Sequence, residues 1–176
     1  MLIEAGHTSL GVIAGPSDSM QSRLRLEGIE AAAAANRIGV SVQAVPNRDI
    51  DSGFAAASTL LSASEAATAL ICSHERLAVA AVLAAANLGV AIPADLSLVS
   101  MDDGEQLASR LVPQLTTIER PDRAMADQAV TVTLQAVDEE NGGEIRQLTL
   151  DCSPAIRDSV ARPRRPNRRQ RLPATR

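Results

Sequence analysis

Aromatic side chains are almost missing from this sequence: Phe54 stands alone among 176 residues, with no Trp and no Tyr. A sugar-stacking platform made by this chain alone is therefore disfavoured, because stacking needs aromatic faces. Lysine is missing altogether, and all 17 basic residues are Arg. Receiver-type phosphotransfer sites combine an acidic cluster with a Lys, so that class is set aside. Cysteine is scarce. Cys72 and Cys152 cannot form a disulfide framework; both fall in apolar runs that read as strands, where a free Cys behaves as a small hydrophobe, and a reduced, cytoplasmic setting fits. No apolar stretch reaches membrane-spanning length. The first residues lack the basic region and apolar run of an export signal.

Catalytic signatures are missing as well. The sequence has no GxSxG elbow, no Walker loop, no His-x-x-Glu-His and no Cys pair at zinc spacing. An acid/base or nucleophilic group built from Asp102, Asp103, His74 and Cys72 is the enzymatic alternative, but no surrounding motif supports it. The expectation is a non-enzyme with no cofactor and no metal site.

The charge present is unevenly placed. The first 161 residues hold ten Arg against all 21 acids, whereas residues 162–176 hold seven Arg and no acid. An acidic body repels nucleic acid, and only the tail would attract it. The Pro residues of the tail and its lack of apolar periodicity predict disorder.

Apolar and helical periods alternate along the chain. LGVIA (10–14) reads as a buried strand closed by Gly15-Pro16. Helical spacing follows over 20–37, with Gly39 as the stop signal. VSVQAV (40–45) alternates as a strand, and 51–63 reads as a helix. TALIC (68–72) is a buried strand. Residues 75–88 form an Ala-rich helix stopped by Gly89, and LSLVSM (96–101) is another strand. Strands apolar along their whole length are covered on both faces, which predicts an α/β fold with a parallel sheet flanked by helices. Ligands on such sheets bind at the carboxyl ends of the strands. After residue 102 the pattern changes: LTTI (115–118) is extended, a helix with Pro121 at its start spans 122–138, Gly142-Gly143 turns the chain, and RQLTLDC (146–152) alternates as a last strand.

Five strings are more specific. GHTSLGVIAGP (6–16), SRLRLEGI (22–29), GVAIPADLSLVSMDD (89–103), PQLTTIERP (113–121) and LDCSPAIRDSVARP (150–163) occur in the order and spacing that resemble the ligand-sensing part of LacI/GalR-type bacterial transcription regulators. The resemblance covers nearly the whole chain to Pro163. It implies a C-terminal lobe of the type I periplasmic-binding-protein kind over 1–119 and a segment returning to a mostly missing N-terminal lobe over 120–161, with the Arg-rich tail over 162–176, read as disordered from its composition, beyond them. It also implies a small sugar-like effector in an interlobe cleft, homodimers, and operator binding only through a helix-turn-helix headpiece that these residues do not include. No membrane partner is implied. A stand-alone sugar-binding protein of transport type and an inactive truncated remnant remain the alternatives. With the second lobe missing, the apolar residues Val130, Leu134, Val137, Leu148 and Leu150 lose their partners, and the segment is expected to fray, rearrange or dimerise.

The resemblance also picks out candidate ligand contacts. Arg25, three residues before Gly28, matches a ligand-contacting Arg; its guanidinium fork suits sugar hydroxyls or a carboxylate. The plain alternative is a surface Arg paired with Glu27 or Glu30. Asp102 matches the family's ligand-binding Asp at a strand end, with a loop charge or helix cap as its alternative, and Asp103 reads as such a cap. His74 and Glu75 depart from the family's Asn-Asp or Ser-Asp pair; His74 can still donate or accept, and a helix cap by Ser73 is the alternative. Arg120 falls near the lobe crossing, or else is solvated. Ser17, Asp18 and Ser19 either line the cleft or cap the helix beginning at 20. Of these, Ser19 is taken as a candidate contact. Arg157 matches the family's closing Arg and is read as structural.

Overall fold

The alternation of buried side chains along each apolar run decides how the sheet is covered. The computed structural model describes residues 1–63, 67–104, 106–138 and 147–164. The described elements are α1 (Leu2–Ala5), β1 (Ser9–Ala14), α2 (Met20–Ala35), β2 (Gly39–Ala44), α3 (Ile50–Leu61), β3 (Ala69–Cys72), α4 (Glu75–Asn87), β4 (Ser97–Ser100), a 3-10 turn (Ala108–Arg110), β5 (Thr116–Glu119), α5 (Asp122–Asp138) and β6 (Ser153–Ala155). The strands form one sheet in the order β2-β1-β3-β4-β5-β6. The first five run parallel, and β6 closes the edge antiparallel to β5.

Successive residues of a strand point to opposite faces. Ile13, Leu70, Cys72 and Leu98 face one way and pack with α3 and α4 into the larger core. Val12 and Ala14 face the other way, against Ile29 of α2, and Leu10, Ala69 and Val99 lie with Leu2 of α1. The Ala-rich face of α4, with Ala78, Ala81, Ala84 and Ala85 fully or almost fully buried, lets it approach α3 closely. A Cβ added to Gly53 of α3 would lie only 2.7 Å from Ala80 Cβ, so only glycine fits that crossing. The second face is covered less completely. Between α1 and α2 runs an apolar groove of about 510 Å3 lined by Leu24, Ile29, Ile71, Val99 and Ile118.

Helix ends follow local chemistry. Ser19 caps α2 by accepting the Ser22 N–H, and Asp49 caps α3 through the Ser52 N–H at 2.7 Å. Gly89 takes the left-handed conformation just beyond α4, as its position predicts. Gly39 does not stop α2, contrary to the sequence expectation. Asn36 caps the helix, Arg37 adopts the left-handed turn (φ 56°), and Gly39 begins β2.

The closing part of the chain corrects the reading in two further ways. Residues 147–152 form no strand, and Cys152 is exposed outside any strand. An alternating pattern forms a strand only where a neighbour offers hydrogen bonds, and on this sheet the free β5 edge is met by Ser153–Ala155 instead. Residues 153–161 also pack on the sheet of residues 1–119 and do not leave with α5. The Ser159 carbonyl accepts the Leu98 N–H at 2.9 Å, and the Ser159 hydroxyl donates to the Leu98 carbonyl at 2.6 Å while accepting the Thr116 N–H at 2.8 Å. The returning chain thus sits between β4 and β5, whose direct pairing is confined to Val99–Thr116 and Ser100–Thr117. The Gly142-Gly143 turn and most of the Arg-rich tail lie outside the described residues.

α5 is different. Val130 and Leu134 are each 60% exposed and Val137 75%, and a shallow trough separates the helix from 148–150. This helix makes little contact with the core, so its amides are expected to exchange close to free-peptide rates, while β1 and β3 exchange only by opening of the core. Hydrogen exchange of the purified chain measures this, and β1-like protection across 124–136 would refute it.

His7 holds the other end of the closing segment. Its side chain is 2% exposed, with Nδ1 at 2.8 Å from Thr68 Oγ1 and Nε2 at 3.0 Å from both Ser97 Oγ and the Ala161 carbonyl. Burial lowers its pKa below the ordinary 6.5, with the Ala161 carbonyl acting in the opposite direction. Between its folded pKa and 6.5 the unfolded chain binds more protons, so this contribution is present above 6.5 and is lost as pH falls through the folded pKa. The melting midpoint is expected to drop on acidification below pH 6.5 with a shallower slope in His7→Gln; equal slopes in both proteins would exclude His7 as the cause.

Candidate functional site

The strand order itself locates a crevice. From β1 the chain moves to one side to build β2, then crosses back to place β3 on the other side. The loops at the carboxyl ends of β1 and β3 therefore diverge, and in open α/β sheets such a switch point is where ligands bind. Gly15 ends β1 here, and Ser73 and His74 follow β3. Asp102 follows β4 and Arg120 follows β5, which carries the same edge across four strands.

Asp102 is buried at 6% exposure. Its loop is fixed by Ser100, whose hydroxyl donates to the Asp102 carbonyl at 2.9 Å and accepts the Asp102 N–H at 3.3 Å. Its carboxylate accepts the Gly104 N–H at 3.3 Å through Oδ1. His74 Nε2 lies 3.5 Å from Asp102 Oδ2, and an Arg120 guanidinium nitrogen lies 3.9 Å from Oδ1. His74, not Ser73, caps α4, with Nδ1 accepting the Arg76 N–H at 3.4 Å. That bond leaves the neutral ring's proton on Nε2, facing Asp102. Arg25 reaches across from α2 and donates to the Ser73 carbonyl. Burial lowers the Arg25 pKa; Asp102 opposes this, and the nearby Arg120 and Arg48 reinforce it.

Four of the five residues expected from sequence, Arg25, His74, Asp102 and Arg120, thus gather around one carboxylate. Arg25 is neither paired with Glu27 nor with Glu30. Ser19 lies beside them at the start of α2, where its hydroxyl serves as helix cap and accepts Arg48 at 3.1 Å. Beyond Asp102 opens a cavity of about 370 Å3 bordered by Gln106, Ser109, Glu119, Arg120 and Arg157.

Asp103 is not a helix cap. It accepts Arg157 at 2.7 Å and the Thr117 hydroxyl at 2.9 Å. Arg157 also donates to the Leu115 carbonyl at 2.7 Å and to Thr117 Oγ1 at 2.9 Å, in keeping with its structural reading. Glu75 is fully buried and accepts the Ala108 N–H at 2.7 Å, which fixes the 3-10 turn behind the Asp102 loop.

Sequence reasoning missed Arg48 and Ser73. Arg48 sits in the loop after β2 and donates to Ser19 and, at 3.4 Å, to the Ser22 hydroxyl. Its position past a strand's carboxyl end was the available signal. Ser73 carries a buried hydroxyl with no hydrogen-bond partner.

These features define an open, doubly wound α/β lobe with a polar site across the carboxyl ends of its strands. Residues 1–160 match the model of the periplasmic binding protein-like domain family, and the chain belongs to that family in the form carried by LacI/GalR-type regulators. It is similar to the HTH-type transcriptional repressor PurR of Haemophilus influenzae (31% identity over 164 residues, 90% of this chain and 48% of that protein). It is also similar to the ribose operon repressor of the same organism (32% over 161 residues, with the same coverage). Among solved structures it resembles a dimeric Lac repressor with an 11-residue C-terminal deletion (TM-score 0.82, 28% identity, 93% of this chain and 59% of that one). The chain spans about half the length of the curated relatives it matches. These relatives are repressors, not enzymes. No helix among the described residues is long and apolar enough to cross a membrane.

Replacing Arg157 with Met would leave Asp103 buried without its cation. Breaking a buried ion pair costs about 3–5 kcal/mol; this pair is partly exposed, and the loss in chemical denaturation is expected near the lower end, about 3 kcal/mol. A loss under about 1 kcal/mol, the value of a surface pair, would show that the closing segment is held by Ser159 and β6 instead.

Proposed function

We propose that this chain is the effector-sensing portion of a LacI-type transcriptional repressor and takes a small, hydroxyl-bearing effector, a sugar or a related metabolite, at the edge formed by Arg25, His74, Asp102 and Arg120. The observation that carries the reading is the approach of His74 and Arg120 to the buried Asp102 carboxylate, at 3.5 and 3.9 Å, with Arg25 reaching the neighbouring Ser73 carbonyl. A carboxylate accepts from paired hydroxyls, a guanidinium donates to them, and a neutral imidazole does either. Ser19 contributes at the margin through its place at the α2 terminus.

The similarity to repressors supports the regulatory context, with operator DNA contacted through a helix-turn-helix headpiece and with two copies paired in a homodimer. The acidic charge of residues 1–161 fits this division, because a surface of that sign does not attract nucleic acid. The setting is cytoplasmic, where operator DNA is found. The folding unit is best drawn as residues 1–119 together with 153–161, with α5 as the segment belonging to a second lobe. The family switch works only if effector affinity differs between two lobe arrangements.

Thermal melts of the purified chain with millimolar sugars, sugar phosphates and nucleosides test the site. An effector at about 100 times its Kd adds about 2.7 kcal/mol. The melting midpoint is expected to rise with one ligand class, and Asp102→Ala is expected to abolish the rise. A rise that survives Asp102→Ala would move the site elsewhere; no rise with any class would remove the reading.

A further inference from the structure

Resting on the effector-site reading, we propose that the effector carries an oxyanion, a phosphate or carboxylate group, bound at the start of α2 by Arg48 and Arg25 beside Ser22 and Ser73. The site lies at the switch point between β1 and β3. Four observations meet there. The first is the helix itself: α2 has 16 residues and no acid in its first turn, and the acid before it, Asp18, precedes the Ser19 cap and is exposed.

The second is Arg48. A guanidinium is a poor companion for a helix N-terminus, yet this one is held there, half-buried, by the Ser19 and Ser22 hydroxyls at 3.1 and 3.4 Å. Its sequence neighbour Asp49 is turned away to cap α3. The third is Arg25, also half-buried. Among the described residues no carboxylate lies within ion-pair distance of Arg25 or of Arg48. Asp102 is the acid acting on Arg25, while Arg120 and Arg48 add like charge. Arg120 is itself paired with Asp122 at 3.3 Å and approaches Asp102 at 3.9 Å, which leaves Arg25 and Arg48 as the guanidiniums of this centre with no carboxylate among the described residues in ion-pair distance.

The fourth is the Ser73 hydroxyl, buried and without a partner. It stands beside Gly15: a Cβ there would lie 2.5 Å from Ser22 Oγ, 3.3 Å from Arg48 Nε and 3.4 Å from Ser73 Oγ. The missing side chain at Gly15 lets two hydroxyls and a guanidinium converge on one point of the backbone. Hydroxyl donors and guanidinium forks brought together form a donor set that binds an oxyanion, whose acceptors outnumber those of a sugar hydroxyl. The scarcity of aromatic residues is consistent with this, since charge and not ring stacking then supplies the affinity.

Isothermal titration of the full chain with matched probes tests the proposal: glucose, gluconate and glucose 6-phosphate; ribose and ribose 5-phosphate; and inorganic phosphate alone. At least one anionic probe is expected to bind tenfold or more tightly than its neutral parent, and the gluconate and glucose 6-phosphate arms tell carboxylate from phosphate. Arg48→Gln is expected to lower that anion's affinity at least tenfold. Arg37→Gln, which removes the same charge at the far end of α2, should leave it unchanged. A cooperative melt of each variant shows that it folds, and Arg48→Lys, which keeps the charge without the fork, recovers part of the loss if Arg48→Gln is poorly folded.

Neutral parents that bind as tightly as their anions, in a manner lost in Asp102→Ala, would overturn the oxyanion site and leave the effector site standing. Anion affinity that falls equally in the Arg48 and Arg37 variants would reduce the effect to general charge and overturn the proposal. Phosphate binding lost in Arg48→Gln, even with every sugar silent, would support the oxyanion site while counting against a sugar effector. Silence from every probe would overturn both readings.

Discussion

The clasp made by Arg157, Asp158 and Ser159 decides what this sheet can be. After β5 the chain leaves through α5 and must come back, and a returning strand with no partner on the sheet would carry unpaired backbone groups at an apolar edge. Ser159 supplies partners to both neighbours, bonding Leu98 on one side and Thr116 on the other, while the Asp158 N–H donates to the Gln114 carbonyl at 3.0 Å. Arg157 then fastens the same turn to Asp103. The consequence reaches the site: Asp103 is held, so the loop carrying Asp102 is held on one side by Arg157 and on the other by Ser100. A carboxylate on a loop fixed at both ends has little freedom to lose if the proposed effector binds there, and such ordering is where affinity is otherwise spent.

The same contrast accounts for α5. Its sequence is as amphipathic as those of the other helices, yet its apolar residues stay exposed while the chain on its far side is drawn back into the sheet. Composition does not separate the two segments. What separates them is the supply of partners: β5 offers a free edge and the gap beside β4 offers donors and acceptors, whereas no apolar face of the sheet lies within reach of α5. Burial needs a facing surface as well as an apolar stripe.

Much of this was legible in the residues. Continuous apolar runs gave β1, β3 and β4, and the helical periods gave α2 to α5 within one or two residues of their observed ends. Arg25, Asp102 and Arg120 could be picked out because each lies in a string with recognisable spacing, and His74 because it follows a buried strand where the family carries an Asn-Asp or Ser-Asp pair. The misses share a cause. The 146–152 pattern alternates well but has no strand to pair with, Asp103 looks like a cap until Arg157 arrives from 54 residues away, and Ser73 looks like a cap until His74 takes that role. Each depends on a contact between distant parts of the chain, which local patterning does not encode. Arg48 was hidden for a related reason: its place past a strand's carboxyl end hints at the site, but its contact with the start of α2 joins residues 26 and 29 positions apart.

The electrostatics of the edge follow from this convergence. The strand ends and the start of α2 bring Arg25, Arg48 and Arg120 into one region, where burial disfavours the charge of Arg25. Arg120 is met by Asp122 at 3.3 Å as well as by Asp102, whereas no carboxylate among the described residues lies within ion-pair distance of Arg25 or Arg48, and Asp102 is shared with His74. The Ser19 and Ser22 hydroxyls offset part of the deficit by accepting from Arg48, while Ser19 also caps α2. Such an arrangement is tolerable in the free protein because the guanidiniums remain half in water, but closing a cleft over it would strip that water away. On the proposed reading of the site, a ligand that brings negative charge would offset the loss of that water.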